Sequence, residues 1–143
     1  MSRYIALFLI ACGGDDAPPA LFPETYAATY TEVRNCRNSI DHDLRRIRVL
    51  SSPEALTAYT GRTEAFPPMS IVIKVEYEDM TCSGPIVGFT AMQKLAPGTD
   101  PALLDWRWQE TDGDLKEIAF EPARCASCHK TCQDSYDATC TLP

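Results

Sequence analysis

Two thiols and an imidazole stand together in Cys125-Ala126-Ser127-Cys128-His129. Thiols three residues apart lie on one turn of a helix. There they can add across the two vinyl groups of a haem, and the adjacent imidazole then reaches the iron from the same side. The spacing therefore predicts one covalent haem c, attached through Cys125 and Cys128, with His129 as the iron ligand. Structural zinc is the competing chemistry, but it wants four ligands, and only Cys132 and Cys140 stand nearby. A thioredoxin-like redox pair would follow the first strand of a βαβ unit, whereas this pair comes after most of the sequence.

The other cysteines need employment too, since the chain has 7 in 143 residues. The sequence opens with Arg3, a short apolar run, and then Leu9-Ile10-Ala11-Cys12, followed by Gly13-Gly14-Asp15-Asp16. This resembles a bacterial lipoprotein signal, in which the thiol of Cys12 carries the lipid. The expected organisation is a signal peptide over 1–11, a flexible tether over 12–22 and one haem domain over 23–143, periplasmic and held to a membrane by its acyl chains only. Export agrees with haem attachment, which takes place outside the cytoplasmic membrane. Four cysteines remain, Cys36, Cys82, Cys132 and Cys140, and they allow three disulfide pairings among which sequence does not choose. The preferred pairing is Cys132 with Cys140 and Cys36 with Cys82.

Composition narrows the class. A net charge of −7 repels phosphate backbones and excludes nucleic acid as a partner. The 45% hydrophobic and 23% charged content suits a single globular domain, and the apolar run ending at Cys12 is too short to span a bilayer.

The elements that must position the motif read as α+β, mainly an antiparallel sheet with a few packed helices. Tyr26, Tyr30 and Val33 share a helical face over 26–36, and Cys36–Cys82 would staple that helix to the sheet. Residues 44–50 alternate as a strand, with Arg46 and Arg48 on one face and Ile47 and Val49 on the other. Ser52-Pro53-Glu54 opens a short helix that Gly61 stops. Residues 70–78 alternate most cleanly: Ile71, Ile73, Val75 and Tyr77 face one way, while Lys74, Glu76 and Glu78 face the other, the side that alternation assigns to water. Further strands are expected over 86–95, 104–111 and 118–120.

That pattern separates the chain from two haem folds. In ordinary small cytochromes c the motif comes early and a downstream methionine is the sixth ligand, but no Met follows His129. Four-helix cytochromes c′ carry the motif late, yet this middle is period-two. The sequence instead resembles the cytochrome P-460 family, which shares its fold with the β-type cytochromes c′. The resemblance rests on Ile47-Arg48, Ile71-Val72-Ile73-Lys74-Val75, Gly88-Phe89-Thr90-Ala91, Asp105-Trp106-Arg107-Trp108 and the haem motif through Lys130. It implies an antiparallel sheet with packed helices, a homodimer, and a five-coordinate haem with an open distal face.

The same resemblance implies that Lys74 is the lysine bonded to the haem ring and Arg48 a distal-pocket arginine. At Thr90 the chain departs from hydroxylamine-oxidising members, which carry a glutamate there. A threonine hydroxyl does not titrate near neutrality, so it supplies no carboxylate base. Glu76, on the face of Lys74, is an alternative base or else part of a solvated salt bridge. Trp106 and Trp108 either wall the haem or pack the core, and His42, Met69, Met80 and Met92 are candidate sixth ligands, although Asp41 and Asp43 make His42 look exposed. The expected function is a lipid-anchored cytochrome that oxidises hydroxylamine or binds nitric oxide, with an unknown redox partner. The alternative is a six-coordinate electron carrier.

Overall fold

Five strands lie side by side in sequence order in one antiparallel sheet: β1 (Thr31–Asn38), β2 (Arg46–Ser51), β3 (Ile71–Tyr77), β4 (Ile86–Lys94) and β5 (Trp106–Asp112). Three short helices accompany it, α1 (Tyr26–Thr29), α2 (Leu56–Gly61) and α3 (Pro122–His129), so the fold is α+β. This computed structural model describes residues 17–39, 42, 44–132 and 136–143; the expected signal peptide over 1–11 and the expected lipidation site Cys12 lie outside the described residues.

Register divides the sheet residues between two faces. Directly opposed residues on neighbouring antiparallel strands share a face. Leu50 therefore sides with Ile73 and Ala91, and Val75 with Arg48 and Phe89. This face is closed by Phe22 and Tyr26, whose rings meet Phe89 at 5.2 and 5.3 Å between centroids. The opposite face carries Ile47, Val49, Val72, Met92, Trp106 and Trp108, covered by Tyr59 and Ala58 of α2, by Phe66 and by Ala126 of α3. The same face also carries Lys74, Glu76, Thr90 and Glu110.

Three expectations change. The helix expected over 26–36 ends after one turn, and Thr31–Asn38 pairs with β2 as an edge strand, so the disulfide of Cys36 joins strand to loop rather than helix to sheet. Cross-strand pairing of Thr31, Glu32 and Arg34 with β2 outweighs the weak helical spacing of two tyrosines. The end of the expected tether is docked: Phe22 is buried, the Leu21 amide donates to Gln109 Oε1 at 2.7 Å, and Gln109 Nε2 donates to the Pro19 carbonyl at 3.0 Å. Residues 118–120 form no strand, and only a single bridge, Thr111 to Glu117, extends the sheet there. A 3-10 turn, Pro53–Ala55, leads into α2, which ends at Gly61 as expected, with Arg62 in the left-handed region directly after it.

Candidate functional site

Helix α3 places the cysteine and histidine side chains. Pro122 stands in its first turn, where a missing amide costs nothing. Ala126 and His129, one turn apart, point into the protein, while Cys128 is exposed and Cys125 half-buried. The helix rides beside a cavity of about 880 Å³ that Cys125, Cys128 and His129 border with Lys74, Thr90, Trp108 and Glu110. That volume lies in the upper part of the usual range for small-molecule pockets, roughly 300–1,000 Å³. Cys36 pairs with Cys82 and Cys132 with Cys140, leaving Cys125 and Cys128 as the free thiols among the described residues. Burial, reinforced by the nearby Glu110 carboxylate, raises the Cys125 pKa.

The His129 ring is oriented from two sides. Its Nδ1 lies 2.6 Å from the Ala138 carbonyl, and since a carbonyl only accepts, Nδ1 is the donor, which in the neutral ring leaves the lone pair on Nε2. Trp108 stands against the ring edge to face, with centroids 4.7 Å apart. An imidazole oriented in this way could hold a metal through Nε2. Cys132 and Cys140 also lie within 4.8 Å of the His129 ligand atoms, but a disulfide offers no thiolate to a metal.

Across the cavity a polar row crosses three strands: Lys74, Thr90 and Glu110 are consecutive register partners. Lys74 Nζ lies 2.7 Å from His42 Nε2. Burial, then the charges of Lys74 and His129, lower the His42 pKa to about 3, so the ring is neutral and accepts the lysine proton. His42 Nδ1 is 3.7 Å from Glu76 Oε1, a contact between a neutral ring and a carboxylate rather than an ion pair, and Arg45 Nε is 3.8 Å from Glu76 Oε2. The Thr90 hydroxyl is buried with no hydrogen-bond partner among the described residues.

The structure thus brings Lys74, Thr90, Cys125, Cys128 and His129 to one cavity. Arg48 is not among them. It points to the other face of β2, where it pairs with Glu32 at 3.2 Å and lies over the Tyr77 ring, because its register partner is Val75. Arg37 and Arg45 border the cavity instead. Lys74 and Glu76 are half-buried and line the cavity that α3 borders, rather than standing on a fully wet face. Trp108 walls the cavity and Trp106 is core. Met92 borders the cavity, whereas Met69 and Met80 are exposed. Sequence reasoning gave no role to Glu110; its period-two spacing from Trp106 and Trp108 is the signal that places it on the same face.

No protein-family model matches this chain, and no curated protein matches it. Among the described residues, no helix is long and apolar enough to cross a membrane.

Proposed function

We propose that this chain is an exported, lipid-anchored mono-haem c-type cytochrome of the cytochrome P-460 kind, whose haem keeps one side open to a small nitrogen ligand such as hydroxylamine or nitric oxide. One observation carries the reading: two thiols outside any disulfide and an imidazole with its Nδ1 proton held on a backbone carbonyl border the same cavity. These residues fit the group. Cys125 and Cys128 would hold the porphyrin by thioether bonds, His129 would hold the iron, and Trp108 would pack beside the imidazole. Bound there, the haem supplies an iron that can take a ligand and exchange electrons.

The chain's own residues then shape the ligand side. Lys74 presents its amine beside the neutral acceptor His42, on the wall where the resemblance puts a lysine linked to the ring. Thr90 offers a hydroxyl without a partner among the described residues, and Glu110, its neighbour on β5, supplies a carboxylate on the same wall. With no carboxylate at position 90, ligand binding is better supported than hydroxylamine oxidation.

The test is maturation with a working haem-attachment apparatus. A red product that keeps its haem through denaturing electrophoresis, and loses it when Cys125 and Cys128 are both changed to Ala, is expected. Colourless, iron-free protein overturns the proposal. A tryptic digest in which the Lys74 peptide stays joined through haem to the Cys125 peptide supports the lysine bond; a freely cleaved Lys74 rejects it.

A second reading is favoured by a specific observation: the chain has two histidines, and both border this cavity. In that reading His42 is a sixth ligand and the protein carries electrons. A low-spin spectrum that turns high-spin in His42→Ala selects it; a high-spin spectrum that shifts with nitric oxide selects the open site.

A further inference from the structure

The carbonyl that orients His129 belongs to a segment fixed with unusual redundancy. Asp137 and Ala138 are consecutive left-handed residues, φ 43° and 65°, neither of them glycine. Such residues cost of order 1–3 kcal/mol each and persist only where the surroundings over-determine them. The surroundings here come from four other parts of the fold. Lys94 Nζ, buried in β4, meets Asp137 Oδ1 at 2.7 Å, and the Phe66 amide donates to Asp137 Oδ2 at 3.0 Å. The Trp106 indole donates to the Asp137 carbonyl at 3.1 Å. Beyond Ala138, Arg62 donates to the Thr139 carbonyl at 2.8 Å, to Thr139 Oγ1 at 2.6 Å and to the Thr141 carbonyl, which the Tyr59 hydroxyl also reaches at 2.6 Å. The Cys132–Cys140 disulfide ties the segment back to the end of α3.

We infer that Arg62, with the Cys132–Cys140 disulfide, is a positioning residue for His129: it pins this segment so that the Ala138 carbonyl stays on Nδ1 and sets the donor strength of Nε2 towards a bound metal. The inference rests on the haem reading for its consequence but not for its geometry. A carbonyl that accepts from the far nitrogen of a ligating imidazole makes the ring a stronger donor, and loss of such an outer partner typically weakens metal binding 10–100-fold. A stronger donor favours the ferric over the ferrous state. Releasing the carbonyl should therefore raise the reduction potential, and a tenfold change in ferric-over-ferrous preference corresponds to about 59 mV for one electron.

The experiment has a haem-free arm and a haem-loaded arm. In haem-free protein, 15N chemical shifts of His129 should show the Nδ1-protonated tautomer alone. In Arg62→Met, which keeps the apolar stem, they should show a mixture of tautomers, and Arg62→Lys should restore part of the preference. In haem-loaded protein the same Met variant should raise the potential by about tenfold in preference and lower the iron–imidazole stretching frequency. Tyr59→Phe and the paired Cys132→Ala, Cys140→Ala change provide the same readouts should Arg62→Met not fold. Wild-type tautomer, potential and frequency in all folded variants would overturn the inference. A fixed tautomer in a protein that never takes up haem would instead overturn the proposed function and leave the positioning role standing.

Discussion

The two faces of the sheet are built from the same strands and solve different problems. One face is apolar through its middle, with Leu50, Ile73, Val75, Phe89 and Ala91 closed by Phe22. The other is apolar at the end near α2 and polar at its centre, where Lys74, Glu76, Thr90 and Glu110 line the cavity that α3 borders. Both are covered. The first face is interior that holds the domain together, while the second gives up packing to enclose a lined space, which is how binding sites and cores divide a small fold.

The largest expected effect tests the apolar side. Phe89→Ala should lose about 3–5 kcal/mol of stability, measured by urea unfolding, because a buried aromatic leaves a cavity. The absorption spectrum of the haem-loaded protein should be unchanged. A spectral shift would mean that the two faces are not separate in function.

Acid should act on the other side. His42 is ordinarily half-protonated near 6.5 but in the fold only near 3, so between those values the unfolded chain binds the extra proton and stability falls as pH falls. The stability is fully present above about 6.5, and a loss on the order of a few kcal/mol is expected on approaching pH 3. Comparing urea midpoints at pH 7 and pH 4 measures it, and His42→Gln should flatten the difference. An equally steep profile in that variant would assign the acid sensitivity to other groups.

The smallest effect is at Arg48. Its pair with Glu32 is about one-third exposed on both sides, so Arg48→Ala should cost roughly 0–1 kcal/mol. Ligand affinity should not move. A weakened nitric oxide complex would return Arg48 to the pocket side and undo its assignment to the opposite face.

What could be read from sequence followed the range of the interaction involved. Alternation in β2 and β3 gave the correct partition of Ile47 and Val49 from Arg46 and Arg48, because period two is a property of the backbone. It did not tell which partition would be roofed, so Lys74 looked solvent-facing beside Glu76 and Glu78. His42 looked exposed between two aspartates for the same reason: its neighbours in space are Lys74 and Glu76, more than thirty residues away. The cysteine and histidine spacing was legible because adjacent residues on one turn enforce it. The partner of His129 was not, since every residue has a carbonyl and nothing marks the one at position 138. β1 was read as helix because two tyrosines spaced by four imitate a helical face over a single turn.

The order of the strands has a consequence for assembly. Each strand lies beside the one before it, so the sheet pairs only strands consecutive in the sequence, and such pairings form sooner than pairings between distant segments. An emerging chain can therefore raise the polar wall of the cavity, Lys74 beside Thr90 beside Glu110, before Cys125, Cys128 and His129 have been added to it. On the proposed reading, a haem would meet a mould already cast rather than a chain that must be shaped around it.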